Sequence, residues 1–121
     1  MEKKKTLVIG ASENIERYSN LAVKKLLKNN YTVVAIGSKK GIINDINIET
    51  EKIPFENIDT ITLYLNSSRQ KEYHNYILSL NPKRIIFNPG AENDVLEKLA
   101  QEMGIFTQEA CTLVLLSTNQ Y

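Results

Sequence analysis

Gly10-Ala11-Ser12, with Arg17 just beyond it, is the stretch of this chain best suited to hold an anion. Three small residues let the backbone turn sharply and a ligand come close. The Ser12 hydroxyl can bond a phosphate, and a guanidinium at Arg17 can add a charge-assisted bond. Leu7-Val8-Ile9 precedes the turn as a short apolar strand, and a helical pattern begins at about Tyr18-Ser19. Strand, small-residue turn and helix start together aim unpaired amides and the positive end of a helix dipole at one point. The turn is not the dinucleotide fingerprint G-x-G-x-x-G, because Ser12 stands at its second glycine. Taken alone, Ser12 and Arg17 serve equally well as the cap and decoration of a helix start.

A second group lies after the next apolar run. A site for an unphosphorylated ribose normally carries an acid there, while a phosphorylated ribose favours a base. This chain has Gly37-Ser38-Lys39-Lys40, with no carboxylate until Asp45. Coenzyme A and NADP both carry such a phosphate, and two solvated lysines in a turn are the plainer alternative. Asn88-Pro89-Gly90-Ala91-Glu92-Asn93 forms a third polar turn, able to offer hydrogen bonds to a ligand or simply to cap a helix. His74, the only histidine, falls mid-helix with no acid–histidine–nucleophile set around it. Cys111, the only cysteine, follows the last strand, where packing competes with a thiol facing the ligand. No metal-ligand spacing of Cys, His or carboxylates is visible. The expectation is therefore binding without catalysis.

Alternating elements must position these turns. Strands are expected over 5–9, 31–36, 61–65, 84–87 and 105–107, with a half-exposed edge segment around Ile46 and Ile48. Helices are expected over 18–30 (Ser19 as N-cap, Asn29-Asn30 as stop), 69–80 and 93–103. The last of these would turn Val95, Leu96, Leu99, Ala100 and Met103 inward and end at Gly104. Residues 110–116 read equally as strand or helix. Such alternation specifies an open α/β sheet, whose ligands sit beyond the carboxyl ends of the strands. The loops 10–19, 37–41, 66–69 and 88–93 should then meet at one edge.

The totals agree with one ordinary domain: 121 residues, 42% hydrophobic and 24% charged. A formal charge of +1 argues against a general nucleic-acid binder, and Lys3-Lys4-Lys5 reads as a solubilising tail. A single cysteine leaves the fold independent of internal disulfides. Apolar runs far below the ~20 residues of a bilayer span, and the absence of a secretory pattern, make the cytoplasm the expected compartment.

Val8-Ile9-Gly10-Ala11-Ser12, Arg17-Tyr18-Ser19-Asn20, the segment 31–36 and Asn88-Pro89-Gly90-Ala91-Glu92-Asn93 together resemble the small stand-alone CoA-binding domain proteins. These are similar to the N-terminal domain of the succinyl-CoA synthetase α subunit, and the resemblance covers almost the full chain. It implies a single Rossmann-like domain over 1–121, an open, mostly parallel sheet of about five strands with helices on both faces. It also implies coenzyme A or an acyl-CoA as ligand. Gly10, Ala11 and Ser12 would contact the phosphates, with Arg17 and Ser19 nearby. Ser38, Lys39 and Lys40 would meet the adenosine end. Asn66 and Ser67 would border the pantetheine arm, and Pro89, Gly90, Ala91 and Asn93 would line its other side. Ligase activity is not implied, because the synthetase uses a further domain with a phosphorylated histidine and a partner subunit. An NADP-dependent redox protein and an interaction module with a vestigial site remain the alternatives, and a homo-oligomer or other protein partner stays open.

Overall fold

The computed structural model describes residues 4–121. Among the described residues, seven strands form one sheet: β1 (Lys5–Ile9), β2 (Thr32–Ile36), β3 (Gly41–Ile43), β4 (Ile46–Glu49), β5 (Thr60–Leu63), β6 (Arg84–Phe87) and β7 (Phe106–Glu109). Their order is β3-β4-β2-β1-β5-β6-β7, and every pair is parallel except the β3–β4 hairpin. The sheet therefore has seven strands rather than about five. The difference lies chiefly at the β2 edge, where Asn44, at φ 53°, closes a tight turn that lets Gly41–Ile43 pair back on β4. Left-handed geometry at an asparagine is a local choice that hydrophobic periodicity does not display.

Among the described residues, five α-helices cover the two faces: α1 (Tyr18–Lys28), α2 (Ser67–Gln70), α3 (His74–Ser79), α4 (Asp94–Glu102) and α5 (Thr112–Ser117). Alternation along β1 explains the two layers. Leu7 and Ile9 join a core with Ile77, Leu96 and Ala100, on the face of α3 and α4. Val8 points the other way, to Val23 and Leu26 of α1 and Leu115 and Leu116 of α5. Side chains of successive strand residues take opposite faces, so three consecutive apolar residues serve two cores.

Several boundaries differ from the sequence expectation. α1 starts as expected, but its N-cap position is Arg17, without a side-chain cap, and Ser19 is a buried residue inside the first turn. The chain leaves α1 earlier, through Asn30 at φ 66°, with the Tyr31 amide returning to the Leu26 carbonyl at 3.0 Å. The helix expected over 69–80 begins at the Asn66 cap and is broken into α2, a 3₁₀ turn over Lys71–Tyr73, and α3. The ambiguous 110–116 segment resolves as α5, with Cys111, half-buried, at its N-cap position.

α4 buries only Leu96 and Ala100, and leaves Val95 62%, Leu99 38% and Met103 49% exposed. The other side of the helix is taken by the sheet edge, where Gln101 Nε2 donates to Thr107 Oγ1 of β7 at 2.7 Å. Of the basic run, Lys3 lies outside the described residues. Lys4 and Lys5 are not a free tail: their ammonium groups donate to the Tyr121 carbonyl (2.9 Å) and the Glu56 carbonyl (3.0 Å).

Candidate ligand-binding site

The strand order reverses between β1 and β5, and the loops leaving these two strands open a crevice at their carboxyl ends. Gly10 begins the first loop at φ 96°, and a Cβ there would stand 3.1 Å from the Tyr64 backbone carbon. Glycine is thus needed twice over, for its dihedral and for the close approach of β5's end. The loop is then clamped from several sides. The amides of Gly10 and Ala11 both donate to the Ile36 carbonyl at 2.9 Å, and Asn20 Nδ2 donates to the Ser12 carbonyl at 2.9 Å. The Glu13 carboxylate accepts the Ile42 amide of β3 at 2.8 Å.

These bonds change the chemistry expected of the turn. The Gly10 and Ala11 amides are occupied by Ile36, so the open donors lie further on. Among the described residues the Tyr18 and Ser19 amides, in the first turn of α1, have no backbone acceptor. The N-cap residue Arg17 supplies no oxygen to take them, which leaves the helix start open to an anion.

A cavity of about 410 Å³ lies against this helix start. Its walls include Gly10, Ala11, Ser12, Arg17, Ser19, Ser38 and Pro89, seven of the residues singled out from the sequence. Tyr64, Leu65 and Arg69 complete it from the β5 side, with Glu16 and Tyr18 at the α1 side. A second cavity of about 290 Å³ shares Gly10, Ser38, Leu65 and Arg69 and continues to Gly37, Thr50, Glu72 and Tyr73. The two form one cleft across the switch point. Arg69 lines both parts and Arg17 the first, so two basic residues border a space lined also by the residues with open amides. That combination suits a phosphate or diphosphate group.

Other expected residues lie around the cleft rather than in its walls. Lys39 and Lys40 are exposed on the loop beyond Ser38, and Asn66, Ser67 and Gly90 are exposed on their turns. Asn66 Oδ1 is spent on the Arg69 amide (3.0 Å) and the Ser68 hydroxyl (2.9 Å). Ala91 and Asn93 are buried. Tyr64, Leu65 and Arg69 fall in the expected strand 61–65 and edge loop 66–69 but are not among the expected site residues, although the end of β5 is subject to the same strand-end rule as the end of β1. Thr50 could not be found that way, since only the pairing of β4 beside β2 carries it to the cleft.

Tyr64 leans on the base of the site, with burial pushing its phenol above the usual value. His74 and Cys111 line neither part of the cleft. Elsewhere the tertiary fold does assemble an acidic group invisible in the spacing. Carboxylate oxygens of Asp94, Glu97 and Glu109 lie within 4.8 Å of one another on α4 and β7. Burial and the neighbouring Glu109 carboxylate raise Glu97 to about 7.

A doubly wound sheet with an open helix start at its switch point defines a Rossmann-like α/β domain. The family model described as CoA binding domain matches residues 4–117, and this chain belongs to that family. Among solved structures, a crystal structure of an uncharacterized protein is 43% identical, with full coverage of both chains and a TM-score of 0.96. A hypothetical protein from Pyrococcus horikoshii OT3 is 24% identical, with a TM-score of 0.85 over 95% of this chain and 82% of that one. Cell-free ID.343 from Thermus thermophilus is 16% identical, with a TM-score of 0.84 over 98% and 90%. The last two show the shared fold alone. No curated protein matches the chain. No helix among the described residues is long and apolar enough to cross a membrane.

Proposed function

We propose that this protein binds coenzyme A, or an acyl-CoA, in the switch-point cleft, as a ligand-binding or regulatory module without chemistry of its own. The supporting observation is the cavity that joins the open first turn of α1 to Arg17 and Arg69, in a member of the CoA binding domain family. In this reading the diphosphate lies against Ser12, Ser19 and the Tyr18 and Ser19 amides, with the two arginines on either side. The adenosine end enters the second cavity beside Ser38, where Leu65 and Tyr73 offer apolar surface. Lys39 and Lys40, on the exposed loop just beyond, are assigned the 3′-phosphate. The pantetheine arm leaves past Pro89, between the turns carrying Asn66 and Ser67 and those carrying Gly90, Ala91 and Asn93. A protein with one cysteine, needing no disulfide, is at home in the cytoplasm.

Calorimetric titration of the reduced protein with CoA, 3′-dephospho-CoA and NADP(H) tests this reading. CoA is expected to bind, and to bind more weakly without its 3′-phosphate. Preference for NADP(H) would replace the reading with the redox alternative, and no binding to any of the three would overturn it.

A further inference from the structure

Between the two walls of the cleft runs a chain of buried amides that no ligand needs to touch. Gln70, fully buried, donates through Nε2 to the Leu65 carbonyl and to the Ala91 carbonyl, each at 2.7 Å. Leu65 and Arg69, on one side of Gln70, line the cleft. Pro89, two residues before Ala91, lines it from the other turn. Asn93 Nδ2 donates to Gln70 Oε1 at 2.9 Å, and its Oδ1 caps α4 by accepting the Leu96 amide at 3.1 Å. The same Nδ2 stands 3.1 Å from His74 Nε2.

The direction of every bond in this chain follows from groups that can play only one part. The Leu96 N–H can only donate, so Asn93 must present Oδ1 to it and Nδ2 to Gln70 and His74. The Leu65 and Ala91 carbonyls can only accept, so Gln70 must present Nε2 to them and Oε1 to Asn93. His74 Nε2 is thereby required to accept, which makes the imidazole neutral with its proton on Nδ1.

We infer that Gln70 and Asn93 are positioning residues that fix the spacing of the cleft walls, and that His74 makes this clamp sensitive to protons, so that ligand binding weakens on acidification. The inference rests on the cleft being the ligand site. Protonated His74 would set an N–H against the Asn93 NH₂. Relief requires either the imidazole to swing out or Asn93 to flip, and a flip breaks both its bond to Gln70 and its cap on Leu96.

The charges around His74 act in the same sense. Burial opposes a charge on the ring, and Lys71, in the preceding turn of its own segment, opposes a second positive charge, so the imidazole is held below its usual value. The turn before α4 sets the neutral Asn93 against it, and the neutral Gln70 of α2 stands behind Asn93. Asp94, next in sequence, gathers with Glu97 and Glu109. Glu92 is spent on the Gly90 amide at 2.9 Å.

Two measurements test the proposal. His74 is the only histidine, so its imidazole NMR signals are unambiguous. The Nδ1–H tautomer is expected at neutral pH, with a titration midpoint below the 6.5 of a free imidazole and a Leu96 amide that exchanges faster once His74 is charged. An Nε2–H tautomer, or a midpoint at or above that value, would overturn the proposal without reference to any ligand. The second measurement compares CoA affinity at about pH 5.5 and about pH 7.5, either side of the imidazole range, in the wild type and in His74→Gln. The glutamine offers an acceptor oxygen that does not titrate, and the titration of CoA's own phosphate cancels in the comparison. The wild type should lose about fivefold more affinity on acidification than the variant, the worth of one hydrogen bond. Equal losses would overturn the proton-sensitive clamp while leaving CoA binding standing. The Nδ1–H tautomer with the expected titration and amide exchange, but no CoA binding at either pH, would support the clamp and discard CoA as its ligand.

Discussion

Gly37 lies so close to Ala11 that a Cβ on Gly37 would stand 2.3 Å from the Ala11 carbonyl oxygen and 2.9 Å from Ile48 Cγ2. The end of β2 and the turn after β1 are therefore fitted against each other with no room for a methyl group. Gly37→Ala is expected to push the first turn away from β2 and cost about 1–3 kcal/mol, the usual range for overpacking. Urea unfolding would show a lower midpoint at unchanged m, and CoA affinity should fall with it. Wild-type stability and affinity would mean the turn yields freely, against the rigid site described here.

Arg17 and Arg69 are exposed and face the first cavity, whereas Lys39 and Lys40 stand outside both cavities. Arg17→Ala and Arg69→Ala are each expected to weaken CoA by about ten- to a hundredfold, the range for a hydrogen bond to a charged group. Their melting temperatures should hardly change. The Lys39→Ala/Lys40→Ala double variant should instead reduce the preference for CoA over 3′-dephospho-CoA and leave the latter's affinity alone. Calorimetry on the two ligands separates these effects, and equal loss for both ligands in the lysine variant would remove those residues from the 3′-phosphate.

Asn88 holds the far side of the site together. Its Nδ2 donates to Thr62 Oγ1 (2.7 Å) and the Leu63 carbonyl (2.9 Å), and its Oδ1 accepts the Thr112 amide at the start of α5 (2.8 Å). Thr62 and Thr112 share a further hydroxyl contact at 2.7 Å. Asn88→Ala strands several buried groups and should cost about 2–4 kcal/mol by chemical denaturation. Asn88→Asp retains the shape but sets a carboxylate oxygen against the Leu63 carbonyl, so it should not restore stability. A neutral result for either would show that α5 is anchored by its apolar face alone.

Glu97 gives the protein a second pH dependence, opposite in sign to that of His74. Its carboxyl is raised from 4.5 to about 7 by burial and by Glu109, so the folded state holds a proton that the unfolded chain releases. That contribution is fully present below pH 4.5 and is lost as pH rises through about 7. His74 is held low, so its neutral form favours the fold and stability falls as pH drops below 6.5. Thermal melts of Glu97→Gln should gain on the wild type above about pH 7 and lose that advantage toward pH 4.5. An advantage independent of pH would rule out the shared proton as its source.

Much of this architecture was legible in the chain itself. Leu7-Val8-Ile9 announced a strand buried on both faces, and the alternation that follows it specified a parallel α/β sheet with its loops gathered at one edge. Gly10, Ser12, Arg17, Ser19, Ser38 and Pro89, which all line the first cavity, lie on loops that strand ends alone place at this edge, because that rule depends only on local order. Sequence also showed that the 88–93 turn could cap a helix and that Gly104 would follow one, since both depend on the conformational preferences of single residues; that Asn93 is the capping residue rather than the first helical one is seen only in the structure.

What needed the tertiary structure is the destination of each polar group. Ile36's carbonyl takes the Gly10 and Ala11 amides that local reasoning had left free for a phosphate, which moves the open donors to Tyr18 and Ser19. Val95, Leu99 and Met103 repeat with helical spacing, yet only one stripe of α4 meets the sheet. Glu97 joins Glu109, Gln70 joins Ala91, and Asn93 joins His74 across chain separations that no periodicity records. The chain's local preferences determined which elements form and where the cleft must open; packing those elements decided which donors remain available and which residues merely hold the walls in place.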